Sequence, residues 1–483
     1  LQPSTDVTVE TWLSQTNYPE WRKQQLYDKY KNPKYQDFVK FINESTKVET
    51  FVKDESYSEY KYPRCINARS DGFKLLIGPV IKAIEKEVYK NPFFIKNVKI
   101  DERPDYIENN VAQPGCKVLA TDHSFFEAHF ERETMKNIEF RLYSYMTQFL
   151  PIHNFFMSIM NSHVAGINRL VSKLFYLYCV AIRMSGEMTT SLGNGFSNLM
   201  IMLFTAEEQK LLQLKGVVEG DDGAFTFYGK TPTSEWFQEI GFTIKMVEYE
   251  SINEASFCGM LYEKYSRQVM TDIRKVILNF GWFSVKYIHS KQKILDGLLR
   301  CKALSMLYQY PACPIIYKLC RMIIRLTKDF IVIYKDDVYH RVQIQEALDS
   351  LSEKWDMKIS QEPTIETRWF VMQKQNISID LQLACEDYFD KQTQMHPITD
   401  PVFDFLRCGD AKHFYDNYVT AYDTFNYNHN VRVGRKTKHT NDAAKQKQET
   451  QRSEEEAGPS ITASKQSRLS KIASETGAQL IEF

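Results

Sequence analysis

Between Leu214 and Tyr228 the chain runs apolar, turns sharply, and runs apolar again. Leu214-Lys215-Gly216-Val217-Val218 leads toward Gly220-Asp221-Asp222-Gly223, and Ala224-Phe225-Thr226-Phe227-Tyr228 leads away. Two β-prone runs around a Gly/Asp turn predict a hairpin, which commits this stretch to antiparallel pairing. It also puts two neighbouring carboxylates at the tip. Carboxylates gathered there can converge on a hard divalent cation such as Mg²⁺. Composition alone yields a Gly-Asp-Asp tripeptide in roughly one chain in ten of this length, so its meaning depends on what precedes it.

At 483 residues the chain has length for about three compact units, or for one large multi-lobed enzyme. Its longest clean apolar stretch, Leu174 to Ile182, is too short to span a bilayer. No secretory signal is visible at the start, and a first residue of Leu fits an excerpt, a processed product or a readthrough product. Lys plus Arg equals Asp plus Glu at 61 each, so net charge gives no global sign of a nucleic-acid partner. The distribution is less even: from Phe51 to Ile100 there are ten Lys/Arg against six acids. Such a window is commonly a solvated surface and can also bind phosphate. Nine scattered cysteines without a CxxC pair fit a reducing compartment. His123 and His129 read as packing or surface histidines.

Residues 1 to about 50 read as mixed helix. Residues 51 to 117 read as short strands with a helix near Pro79 to Tyr89. The strand Lys117-Val118-Leu119-Ala120-Thr121 ends on Asp122, with a helical pattern to about Leu150 and another helix after Gly186. After the hairpin come Trp236 to Ile240 and a strand, Phe242 to Met246. Past Tyr262 the pattern is mostly helical, with a strand-like Phe330 to Tyr334. From Asn428 to Glu482 no aromatic residue occurs, and Ser, Lys, Gln, Glu and Thr dominate. That segment cannot bury enough apolar surface to offset ordering entropy, so 428–483 is expected to be a disordered tail.

Four elements carry chemistry. Asp122 closes an apolar strand where a carboxylate can reach the floor of a cleft, and Glu127 can face the same cavity if the chain turns helical. Alone, the pair also fits an ordinary N-cap. Ser185-Gly186 makes a loop able to back onto a ligand. Beyond it Thr190, Asn194 and Asn198 form a polar stripe on one helix face. Their side chains both donate and accept, which suits ribose hydroxyls, though a capped helix with a polar solvent face fits as well. The hairpin is the third element. The fourth is Lys53 with Lys61, Arg64 and Arg69 around Pro63, which could present several charges to a polyphosphate. Combined, two aspartates from separate strands would hold two metal ions, one activating an attacking hydroxyl and the other stabilising a leaving pyrophosphate.

This ordered set resembles the RNA-dependent RNA polymerases of positive-strand RNA viruses, most closely the tombusvirus-like and nodavirus-like invertebrate virus replicases. Lys61-Tyr62-Pro63-Arg64 with Arg69 looks like polymerase motif F, and Asp122 to Glu127 like motif A. Ser185-Gly186 with Thr190 and Asn194 looks like motif B, and Gly220-Asp221-Asp222 like motif C. Gly241 to Lys245 looks like motif D, and Phe257-Cys258-Gly259 like motif E. Lys302-Ala303-Leu304-Ser305 and Tyr310-Pro311-Ala312-Cys313-Pro314 are similar to downstream segments of these replicases. The resemblance covers about residues 10 to 410.

The resemblance implies an α+β right-hand polymerase fold. Fingers with a basic NTP-binding segment would occupy 1–117. A palm with an antiparallel sheet and an inserted fingers segment would occupy 118–263, and a mostly helical thumb 264–427. Asp122 and Asp221 would ligate two Mg²⁺ (or Mn²⁺) ions, with Asp222 supporting the metal site. Lys53, Lys61, Arg64 and Arg69 would hold the incoming triphosphate. Glu127, Thr190 and Asn194, with Ser185 and Gly186, would bind the nucleotide and read its 2′-OH. Lys245 would be the general acid for pyrophosphate. RNA template, nascent RNA, NTPs and other viral replication proteins are the implied partners. The implied setting is the cytoplasmic membrane-bound replication complex of an infected cell, reached through another protein or a missing segment. Two departures stand out. Glu127 occupies a position that is commonly Asp, displacing the acceptor by roughly 1.5 Å. Asp-His-Ser replaces the Asp-Ala-Ser usual in plant tombusviruses. A reverse transcriptase and a catalytically idle RNA-binding relic are the alternatives; the Ser-Gly, Thr190 and Asn194 pattern speaks against the first, and the intact aspartates against the second.

Overall fold

The computed structural model describes residues 1–32, 47–53, 62–281, 283, 287, 289–332, 361–396, 398, 400–407 and 412. Strands in chain order are β1 (Lys47–Val52), β2 (Cys65–Arg69), β3 (Val118–His123), β4 (Ile167–Val171), β5 (Tyr176–Val180), β6 (Leu212–Glu219), β7 (Asp222–Tyr228), β8 (Ile244–Tyr249), β9 (Ser256–Phe257), β10 (Met260–Glu263) and β11 (Gln268–Met270). They form three sheets, ordered β2-β1-β4-β5, β6-β7-β3-β8 and β11-β10-β9. The first is mixed, because β1 runs parallel to β4 while its other pairs are antiparallel. The other two are antiparallel throughout. With the helices between and after them, this is an α+β architecture.

The β6-β7-β3-β8 sheet is anchored by the main core. Val218, Phe225 and Ile244 pack with Phe73, Ile77 and Ile81 of the Asp71–Val88 helix, Phe140 and Tyr143 of Glu139–Thr147, and Leu192 and Leu199 of Thr190–Glu208. Removing such side chains from water is the dominant stabilising term, about 1.5–3 kcal/mol for each fully buried large one. The acidic strand ends are thereby held on a rigid base.

Several expected boundaries move. The helix expected near Pro79 begins at Asp71, where the Ser70 hydroxyl accepts from the Phe73 amide. Proline favours a helix's first turn, but here Gly78 and Pro79 are buried inside it, with Gly78 against the Trp12 indole. Packing overrides local preference. The helical stretch after Asp122 is broken into Phe126–His129, Arg132–Asn137 and Glu139–Thr147. Left-handed Phe125 (φ 52°) precedes the first piece. Strand β8 starts at Ile244 rather than Phe242, because the Phe242 amide closes a turn on the Phe237 carbonyl and its ring is buried. Residues 330–332 lie outside any strand, and Ile333 and Tyr334 lie outside the described residues.

Beyond Tyr262 the described chain is mostly helical, as expected, with helices Ile273–Phe280, Gln292–Gln309, Ile316–Leu326, Ile365–Gln375 and Ile379–Lys391. Buried Glu386 ties three of these segments. It pairs with Arg368 (2.9 Å) and accepts from the Ile315 amide (3.0 Å) and the Tyr317 hydroxyl (3.0 Å). Lys302 donates to the Asn279 and Phe280 carbonyls at the end of the Ile273–Phe280 helix, where a cation complements the dipole.

The chain divides into two compact units, Leu1–Met395 and His396–Phe483. This boundary falls inside the 264–427 segment expected to be one thumb. In the second unit Asp400 caps a 3₁₀ turn, Pro401–Leu406, in which Phe403 and Leu406 are buried. The expected disordered tail, 428–483, lies outside the described residues. Among the described residues no helix is long and apolar enough to cross a membrane.

Candidate active site

Strand register builds the site. Glu219 pairs with Asp222, Asp222 with Asp122, and Asp122 with Lys245. Directly opposed residues on neighbouring strands share a face, so these four form one row across β6-β7-β3-β8. The Lys245 ammonium ends the row 3.9 Å from Asp122 Oδ2. Only Gly220 and Asp221 form the hairpin loop, with φ +64° at Gly220, as a type II′ turn requires of its first residue. The expected tip therefore contains Asp221 alone. Asp222 is the first residue of β7, facing Asp122.

Burial and neighbouring charge raise the proton affinity of Asp221 and Asp222. Burial, and then the Asp221 charge, push the Asp222 carboxyl up to about 6. Asp221 is also raised, first by burial and then by Glu127 and Asp122, while the Arg64 charge works in the opposite direction. Glu219 is compensated by Lys96 and Arg103, each at 3.1 Å. Cys258 approaches from β9–β10 in a two-residue turn, Cys258 (φ 51°) and Gly259 (φ 71°), with its sulfur 3.9 Å from Glu219 Oε2. Burial, followed by the Asp222 and Glu219 charges, keeps this group a thiol, able to donate weakly to Asp222. Among the described residues no three His, Cys, Asp or Glu side chains form a ready-made metal cage. Magnesium sites that serve phosphate substrates commonly use only one or two carboxylates, the remaining ligands being water and phosphate oxygen.

Asn198, one helical turn beyond Asn194, is buried and braces the hairpin. Its Nδ2 donates to the Gly220 carbonyl (3.2 Å) and the Asp222 carbonyl (3.1 Å). Asn194 Nδ2 donates to Glu127 Oε1 at 3.1 Å, so two of the expected ribose readers meet. The third, Thr190, donates its hydroxyl to the Met184 carbonyl (2.9 Å). The face read as polar is inward-facing at Asn194 and Asn198.

Ser185 and Gly186 back onto the protein itself. The Asn67 amide donates to Ser185 Oγ (3.1 Å), and the Gly186 amide to the Asn67 carbonyl (2.9 Å). A Cβ at Gly186 would lie 2.9 Å from Ala68 Cα, so the close backbone approach requires glycine. Arg69 is a correction to the expected triphosphate cluster. Its side chain is fully buried, ion-paired to Glu187 at 2.5 Å and donating to Asn168 Oδ1 (2.5 Å) and the His163 carbonyl (3.2 Å). It joins β2 to the loop before the Thr190–Glu208 helix and does not face a cleft. Arg64 and Lys53 are exposed at the mouth of the β1–β2 ribbon, where the Lys53 amide donates to the Arg64 carbonyl (2.8 Å). Lys61 lies outside the described residues.

Sequence reasoning missed Glu219, Arg103 and Glu187, and included Asn198 only in a stripe and Cys258 only in the motif E likeness. For Glu219 a signal existed: in a hairpin with a two-residue loop, the residue before Gly220 must oppose Asp222. For Arg103 and Glu187 none did, since their partners are far away in the chain. His123, stacked on Phe126 at 4.2 Å, is a packing histidine held neutral by burial, its pKa near 4. No protein-family model matches the chain, and no curated protein does.

Proposed function

We propose that this protein is a template-directed RNA polymerase, joining ribonucleoside triphosphates on an RNA template in the replication of a positive-strand RNA virus. The observation that carries the reading is the meeting of Asp122 with the Asp221-Asp222 turn, segments 99 positions apart, at one end of a core-anchored sheet. On this reading β6-β7-β3-β8 is the palm of a right-hand fold, β2-β1-β4-β5 belongs to the fingers, and the helices from Ile273 onward form the thumb.

The donor set at the strand ends is all oxygen and mutually repulsive, which fits a hard divalent cation. Asp122 and Asp221 would hold two Mg²⁺ or Mn²⁺ ions, with Asp222 behind them. Bound there, the ions would supply activation of the attacking hydroxyl and charge neutralisation on the leaving pyrophosphate. The remaining work belongs to the chain. Arg64, Lys53 and Lys61 draw the triphosphate toward the acidic turn and offset its charge. Lys245, 3.9 Å from Asp122 Oδ2, would give a proton to departing pyrophosphate. Glu127 and Asn194 recognise a hydroxyl on the sugar. Viral genomic RNA would be the template, and membranes of the host cytoplasm the setting, reached through another segment or another viral protein.

The test is incorporation of labelled ribonucleotides on an RNA template with Mg²⁺, alongside deoxyribonucleotides. Asp221→Asn is expected to lower incorporation by at least roughly 10³-fold, equivalent to about 4 kcal/mol of barrier, while RNA binding persists. Unchanged activity in that variant rejects the metal assignment. A wild-type chain that binds RNA but incorporates nothing is the idle relic instead, and one that prefers deoxyribonucleotides is a reverse transcriptase.

A further inference from the structure

Behind Glu127 and Asn194 lies a chain of buried polar groups that the proposed chemistry does not use. Arg183 Nη1 donates to Asn194 Oδ1 at 2.6 Å, and Arg183 Nη2 pairs with Glu139 Oε1 at 2.6 Å. The Tyr143 hydroxyl donates to Glu139 Oε2 at 2.9 Å, and the guanidinium lies over the Phe130 ring, 3.7 Å from its centroid. Arg183 and Glu139 each have side chains about 1% exposed. Gly193 provides the space, because a Cβ there would overlap the Arg183 guanidinium and the Glu139 carboxylate.

A carboxamide can present either its oxygen or its NH₂ toward a neighbour. A guanidinium has only donors, so Arg183 captures the oxygen and turns the NH₂ of Asn194 toward Glu127. One N–H is taken by Glu127 Oε1. The second can donate to a ligand oxygen, while Glu127 Oε2 can accept from the same ligand's hydroxyl. A hydroxyl is the group that satisfies both demands, and a C–H satisfies neither. Without Arg183 the carboxamide can flip, putting oxygen against carboxylate and spreading the pair.

We propose that the buried Arg183–Glu139 pair is a sugar-selection device: it locks the Asn194 carboxamide so that, with Glu127, it accepts ribonucleotides over deoxyribonucleotides. Arg183 is a positioning residue, acting through Asn194. This rests on the polymerase reading above.

The experiment measures kcat/KM for an NTP and for its dNTP on one RNA template, together with discrimination between correct and incorrect bases, in wild type and in Arg183→Met/Glu139→Gln. The double variant removes the buried charges as a unit and leaves Tyr143 an acceptor. The expected result is at least a tenfold fall in the NTP/dNTP ratio, mostly from loss on NTP, with base discrimination unchanged. A ratio within twofold of wild type, in a variant that melts like wild type, overturns the proposal, and so does parallel loss of sugar and base discrimination. If the double variant does not fold, Gly193→Ala carries the test. It displaces the pair while improving helix propensity, and the same outcomes apply. Failure of the underlying reading looks different, because the wild-type chain then incorporates no ribonucleotide, and this proposal falls with it.

Discussion

Asp222 holds its proton to about pH 6, against an ordinary value of 3.8, because burial and the neighbouring Asp221 charge disfavour its carboxylate. The folded chain therefore binds more protons than the unfolded chain between those values, and the stability tied to this group is lost as pH rises through 6. Asp222→Asn is expected to raise the melting temperature of the metal-free protein at pH 7.5 by roughly 2–4 °C. At pH 4.5 the gain shrinks to roughly a third of that. Thermal denaturation at the two pH values checks this, and a pH-independent difference contradicts it. His123 slopes the other way: with its pKa held near 4, below the usual 6.5, its contribution is lost as pH falls through that window. At this scale the sequence was informative about residue type and poor about exposure. Asp122, Asp221 and Lys245 stand together because strand ends are where such residues were found. Arg69 looked like its neighbour Arg64, yet Glu187, 118 positions away, covers it. A charge is legible in a sequence, but the countercharge folded over it is not.

The hairpin β6–β7 holds the acidic turn, and the Thr190–Glu208 helix steadies it through Asn198. Asn198→Ala leaves the Gly220 and Asp222 carbonyls without that donor, at a cost of about 1–3 kcal/mol. A lower urea midpoint with an unchanged m-value is the expected signature, together with a lower kcat for nucleotide incorporation and an unchanged KM. A variant as stable and as fast as wild type would show that the turn stands without its brace. The hairpin was readable because its signal is local, alternating strands around a turn of fixed chemistry. The start of the Asp71–Val88 helix was misjudged because its Gly78-Pro79 step sits inside the helix, both residues buried and Gly78 against Trp12. The asparagines read as a stripe for ribose or for solvent because polar residues in a helix give no sign of the carbonyls and carboxylates waiting for them.

Across the molecule, local and distant pairings coexist. Strands β6 and β7 are joined by two residues, whereas β1 pairs with β4 through Lys47 and Arg169, more than a hundred positions apart. Closing so long a loop precedes any reward from the contact. Pulsed hydrogen exchange during refolding is therefore expected to protect the amides of β6 and β7 before those of β1; simultaneous protection would indicate that the mixed sheet nucleates folding. The same contrast explains why the α+β class was legible from the sequence while the β2-β1-β4-β5 sheet and the unit boundary at Met395 were not. Cys258 adopts a left-handed conformation that disfavours any side chain by roughly 1–2 kcal/mol, and glycine would relax it. Glycine would also strip the thiol that donates to Asp222, removing a hydrogen bond that lowers that carboxyl's appetite for a proton. At this corner the backbone's comfort and the tuning of the acid are set against each other, and the chain has kept the tuning.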